Sequence, residues 1–177
     1  VTPSPVRVRV ARSEELGALG DLTLAAYEPF TLGPDDPYVA RLRDTAARAR
    51  EGVLLVAEDQ EGSLLGCVTW CPAGSPLREL AQDHEGEFRM LAVAPRCQGR
   101  GAGAALVHRC HELAAGLGAT SMVISSLAEM TTAHRLYGRL GYEREPTRDW
   151  SPATGVDLVA FVRPLDVGHR IGYARPR

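Results

Sequence analysis

Gln98-Gly99-Arg100-Gly101-Ala102-Gly103 is the stretch whose reading decides the fold. An apolar run, Phe88 to Val93, leads into it, and a helical pattern from Ala104 to Leu117 leads out. A strand, a glycine-rich turn and a helix start therefore form one object. Glycines let a backbone turn tightly and approach a ligand closely. The first amides of a helix have no intrahelical partner, and the helix dipole adds roughly half a positive charge there. Such a place is built to hold phosphate. Gly99, Gly101 and Ala104 also match the dinucleotide fingerprint G-x-G-x-x-A. That fold needs the motif after the first strand of a βαβ unit, with an acid closing the next strand. Here an antiparallel meander comes first, and the next strand ends in Ser125-Ser126. A tight turn in which glycine only saves space is the third reading.

Upstream, Val6 to Ala11 alternates valine and arginine and reads as a half-buried strand. Ser13 offers an N-cap to a first helix through Leu16, Leu19, Thr23 and Tyr27. Asp36-Pro37 opens a second helix that runs to about Arg50. Val53 to Glu58 and Leu64 to Cys71 flank a hairpin turn signal, Asp59 to Gly62, and should pair antiparallel. In the polar connection Pro72 to His84, Leu77 and Leu80 can pack a short turn of helix. Glu85 to Val93 is the fourth strand.

Downstream, the helix after the turn buries Leu106, Cys110, Leu113, Ala114 and Leu117, with Gly118 as its stop. Met122 to Ser125 is a fifth strand, joined to the fourth by a crossover that makes the two parallel. Thr131 or Thr132 caps a short helix with the inner stripe Ala133, Leu136, Tyr137 and Leu140. Tyr142 begins a sixth strand, Pro146 to Gly155 is a loop, and Val156 to Val162 is the seventh strand. The expected fold class is α/β of the α+β kind: a mixed, mostly antiparallel seven-stranded sheet with helices on both faces. One domain should span residues 1–177, with a core at about 6–164 and a C-terminal tail at 165–177.

The composition narrows the function classes. A net charge of −2 gives no reason to expect sequence-independent nucleic-acid binding. No apolar run approaches the ~20 residues of a membrane span, and no signal pattern opens the chain, so a cytoplasmic protein is expected. Cys67, Cys71, Cys97 and Cys110 lack a CxxC spacing and read as free thiols, with no metal site. The chain has no lysine and no asparagine, which excludes a phosphate loop of the Gly-Lys-Ser/Thr type.

Gln98 to Gly103 matches Q/R-x-x-G-x-G/A, and here the chain resembles the GNAT superfamily of acyl-CoA-dependent N-acetyltransferases. Met90-Leu91-Ala92-Val93-Ala94-Pro95 is similar to that family's fourth strand, and Ala133 to Tyr142 to its closing A-x-x-L-Y-x-x-x-G-F/Y pattern. The resemblance implies acetyl-CoA as co-substrate, its pyrophosphate held by backbone amides from Gln98 through Gly99, Arg100, Gly101, Ala102 and Gly103 to Ala104. It implies that Leu91, Ala92 and Val93 pair with pantetheine on a strand splayed from its neighbour, and that an amide there receives the oxyanion. Tyr137 matches the tyrosine that protonates the departing thiolate. Glu87 lies where some members place a catalytic carboxylate, with Glu85 or water as the other possible base.

One position departs from the pattern. An asparagine often stands where this chain has Met130, and Ser125, Ser126 or Thr131 would have to supply a replacement hydroxyl. The acceptor is expected to be a small-molecule or peptide amine, met by the loops Tyr27 to Asp36 and Thr147 to Gly155. Asp35, Asp36 and Asp149 can attract a cation there, and Trp150 or Tyr27 can stack on it. No nucleic-acid or membrane partner is expected, and the enzyme would be a monomer or homodimer. The alternative functions are a non-catalytic acyl-CoA-binding module and a nucleotide-dependent oxidoreductase.

Overall fold

The computed structural model describes residues 5–33 and 35–166. The alternating valines and arginines form β1 (Arg7–Val10), paired antiparallel with β2 (Val53–Glu58). β2 continues antiparallel to β3 (Leu64–Cys71), and β3 to β4 (Glu85–Val93). β5 (Ser121–Leu127) runs parallel to β4, as the crossover requires. Beyond it come β6 (Glu143–Arg144), β7 (Trp150–Ala153) and β8 (Val156–Pro164). β8 pairs antiparallel with β5 and also with β6 and β7.

The sheet thus has eight strands, one more than the sequence suggested. The added one, β7, lies in the stretch read as loop. Pro152 argues against a strand, but at the rim of a sheet a missing N–H costs nothing. Gly155, at φ +79°, makes the turn into β8.

Helices cover both faces. On one lie α1 (Leu16–Tyr27), α2 (Pro37–Arg43) and α3 (Thr45–Glu51). On the other lie α4 (Ala102–Gly116) and α5 (Thr131–Arg139). The expected second helix is two helices, because the Asp44 side chain accepts from the Ala47 amide at 2.9 Å and starts a new one. Ser13 does not cap; Glu15 instead accepts from the Arg12 amide at 2.8 Å. The connection from β3 to β4 forms no helix at Leu77 or Leu80. Leu165, expected in the tail, is buried and its amide bonds Thr120 O at 2.9 Å, while residues 167–177 of that tail lie outside the described residues.

Two cores result. Leu19, Tyr27, Leu42, Leu54, Val56, Cys67, Met90 and Ala92 pack under α1 to α3. Phe88, Trp70, Leu106, Cys110, Met122, Ile124, Tyr137 and Phe161 belong to the larger cluster under α4 and α5. At its margin Arg163 Nη1 donates to His111 Nδ1 at 3.2 Å, since a guanidinium can only donate. The proton of His111 therefore sits on Nε2 and is donated to the Tyr142 hydroxyl at 2.9 Å.

Burial first, then the charge of Arg163, lowers the His111 pKa from 6.5 to about 4. Protons then bind the unfolded chain before the folded one as pH falls. The stability is full above pH 6.5 and drains away as pH drops toward about 4. His134, also lowered chiefly by burial, acts in the same direction. We expect urea unfolding to show a loss of up to roughly 3 kcal/mol across this window. His111→Gln keeps one donor and one acceptor, and should flatten that dependence.

Candidate active site

The glycine stretch leaves β4 through Ala94 and a single 3-10 turn, Pro95–Cys97. Gly99 and Gly101 have φ of +77° and +87°, the left-handed region that an L side chain enters at a cost of about 1–2 kcal/mol. Gly101 is the N-cap of α4. Among the described residues, the amides from Gly99 to Ala104 find no backbone or side-chain acceptor. A Cβ at Gly99 or Gly101 would meet nothing within 4 Å, so open space lies against the turn. Unpaired amides, a helix N-terminus and room in front of them fit a pyrophosphate group. Arg100 is half-exposed and leans toward Asp59 at 3.7 Å.

Gly103 fixes where this turn sits. A Cβ there would stand 3.1 Å from Leu136 Cδ2 and 3.5 Å from Val93 Cγ2. The start of α4, the end of β4 and the helix bearing Tyr137 therefore converge on one point.

β4 and β5 pair only at Glu85, Gly86 and Glu87, opposite Ser121, Met122 and Val123. Beyond Glu87 the two strands part. On the other side, β3 pairs Thr69 with Arg89 and then Cys67 with Ala92, so β4 carries one extra residue. Met90 absorbs it with φ 55°, the one non-glycine residue at positive φ among those described. The bulge reverses the alternation of the strand. Phe88 faces the α4 core, Met90 and Ala92 face the α1 core, and Leu91 and Val93 face α4 again. Met90 and Leu91 have no register partner on either neighbouring strand.

Tyr137 lies on the inner face of α5, 5% exposed, with its ring beside Phe88, Tyr142 and Phe161 at 6.2, 5.7 and 5.8 Å between centroids. Its hydroxyl meets no hydrogen-bond partner among the described residues. Burial pushes the phenol well above its ordinary range, so it holds its proton at neutral pH.

The acids are committed elsewhere. Glu87 is 1% exposed, and its carboxylate accepts the amides of Glu79, Leu80 and Ala81 at 2.8 to 3.2 Å. Those bonds explain why the connection is not a helix: its amides already have a better acceptor. The expectation of Glu87 as a base meets a carboxylate engaged in holding a loop. Glu85 is paired to both terminal nitrogens of Arg148 at 2.8 and 2.9 Å. Burial raises its pKa, but Arg148 and the Gln82 amide carry it net below the usual carboxylate value.

Two of the three acceptor-side acids read from sequence are also occupied. Asp36 caps α2 through Tyr38 N at 2.9 Å, and Asp149 binds Arg144 at 2.9 and 2.8 Å and Ala160 N at 2.8 Å. Asp35 is exposed, and Tyr27 is buried. Met130 packs against the α1 core, and the Ser126 hydroxyl lies 3.2 Å from His134 Nε2.

A sequence model of the Acetyltransferase (GNAT) family matches residues 19–142, a span holding the bulge, the glycine turn and Tyr137. The chain belongs to that family. Over 94 residues it is 35% identical to an N-acetyltransferase of Schizosaccharomyces pombe, covering 52% of this chain and 52% of that protein. The chain thus spans about half the length of the curated relative it matches.

Solved structures agree on the fold. A GNAT acetyltransferase of Staphylococcus aureus superposes with a TM-score of 0.71 at 11% identity, over 91% of this chain and 99% of that one. An N-acetyltransferase of Thermoplasma acidophilum in complex with coenzyme A gives 0.69 at 12%, over 90% and 99%. An acetyltransferase of Salmonella typhimurium with its cofactor acetyl-CoA gives 0.63 at 22%, over 98% and 99%. Among the described residues no helix is long and apolar enough to cross a membrane.

Against the family pattern, two residues were missed by sequence reasoning. Glu79 pairs with Arg89 at 2.6 Å, while its buried Oε2 has no partner among the described residues. Burial raises its pKa, opposed by Arg89 and reinforced by Glu87. Arg48 is the other, and no sequence signal marks either. Glu87→Gln leaves one acceptor oxygen for three loop amides. We expect it to cost about 2–3 kcal/mol in urea unfolding and to speed hydrogen exchange at residues 79–81.

Proposed function

We propose that this chain transfers the acetyl group of acetyl-CoA to a primary amine by direct attack in a ternary complex, on one domain of about residues 6–164. One observation carries the reading: at Gly103 an open amide turn meets a strand end that has parted from its neighbour and the helix of Tyr137, whose hydroxyl has no partner among the described residues. In this reading the amides of Gly99 to Ala104 hold the pyrophosphate, with Gln98 and Arg100 at its edge. Leu91, Ala92 and Val93 present backbone groups to the pantetheine arm.

The amine nitrogen gives its lone pair to the thioester carbon, and the carbonyl π pair moves to oxygen, facing the amide of Leu91, which has no register partner on either neighbouring strand. As that pair returns, the carbon–sulfur bond breaks, and the bond pair leaves on sulfur. Tyr137 gives its proton to that sulfur, and its phenolate is reprotonated from solvent. The amine must arrive neutral, and its second proton leaves to water, because Glu85 and Glu87 are both engaged. Glu79, whose buried Oε2 has no partner among the described residues, would draw a cationic acceptor that reached it.

Release of free thiol from acetyl-CoA, dependent on an added amine panel, tests the reading. Binding of acetyl-CoA without turnover on any amine would favour the non-catalytic module. Tyr137→Phe is expected to lower kcat about 10²-fold with coenzyme A affinity kept. Glu79→Gln should raise the KM for cationic amines severalfold and leave coenzyme A binding unchanged.

A further inference from the structure

Arg48 is the buried cation that none of this uses. It projects from α3 and is 2% exposed. Buried charges are ordinarily paired, because leaving water uncompensated is costly. None of its hydrogen-bond partners among the described residues is a carboxylate. Nε donates to Thr69 Oγ1 at 2.9 Å, and Nη1 to Thr23 Oγ1 at 3.1 Å and Leu42 O at 3.2 Å. Nη2 donates to Cys67 Sγ at 3.8 Å and to Met90 O at 3.3 Å. One guanidinium thus ties α1, α2, β3 and β4 together through neutral acceptors alone.

The Met90 contact gives this charge a use. The carbonyl of Met90 and the amide of Leu91 belong to the same planar peptide unit. That unit is the one displaced by the bulge, with no register partner on either side. A donor placed on its carbonyl polarises the unit and strengthens its N–H as a donor, an effect enlarged in a low-dielectric interior. It also holds Met90 at φ 55°, a strained conformation for a non-glycine residue that persists only when its surroundings enforce it.

We propose that Arg48 is a positioning residue for acyl transfer. It pins and polarises the Met90–Leu91 peptide so that the Leu91 amide receives the negative charge that builds on the thioester oxygen. The charge missing from its surroundings is supplied transiently on the far side of that peptide. The inference rests on the acyl-transfer reading above.

Its test needs no acceptor amine. The carbonyl stretch of [1-13C]acetyl-CoA bound to wild-type protein should lie below that of the free thioester. In Arg48→Met at least roughly half of that displacement should be lost, with coenzyme A affinity kept within about threefold. An undiminished displacement in Arg48→Met overturns the inference and leaves acyl transfer standing. Wild-type protein that does not bind acetyl-CoA overturns both. If Arg48→Met does not fold, the wild type still decides. Its Leu91 amide proton should move downfield with acetyl-CoA beyond its position with coenzyme A, and equal positions overturn the inference.

Discussion

One extra residue in β4 sets the rest of the molecule in place. Without the bulge at Met90, the strand would present Phe88, Met90 and Ala92 to one face and keep its register with β3. With it, the apolar side chains before and after the kink serve opposite cores. The ladder to β5, already ended at Glu87 and Val123, leaves backbone groups of β4 free where α4 begins. A sheet ordinarily satisfies such groups within itself. Here Met90 and Leu91 are left without a register partner, and the strained φ of Met90 is the local cost of that arrangement.

Electrostatics secure the same region with arginine throughout, as the chain has no lysine. Arg148 holds Glu85 at the start of β4, Arg89 holds Glu79 over the loop before it, and Arg48 reaches the bulge itself. A forked guanidinium bonds several acceptors in fixed directions, which a lysine ammonium does not. Glu87 gathers three loop amides beside the strand. Glu85 and Glu87 thus each tie β4 to a neighbouring segment. Tyr137, the proposed proton donor, is kept protonated by its apolar surroundings.

Much of this was legible in the sequence. Glycines at Gly99 and Gly101 announced a tight turn, and the apolar period around it gave the strand, the helix and their parallel crossover. The A-x-x-L-Y spacing placed Tyr137 on an inward face. What escaped was set by tertiary partners. The stripe Tyr38, Leu42, Thr45, Ala49 runs unbroken through Asp44, so periodicity hides the point where a side-chain cap splits two helices. Pro152 concealed β7 because its tolerance depends on lying at a rim. The partners of Glu87 are backbone amides of a preceding loop, invisible to any side-chain pattern. Arg48 sits among alanines and another arginine, a composition that reads as a solvated helix face, and only the packed fold shows it pointing inward.

The account stands most directly on where the thioester lies. A crystal structure with acetyl-CoA should place the pyrophosphate against the amides of Gly99 to Ala104 and the thioester oxygen about 2.7–3.1 Å from the Leu91 amide, with sulfur facing the Tyr137 hydroxyl. A thioester bound away from the gap between β4 and β5, or a pyrophosphate held elsewhere than at the turn, would contradict it.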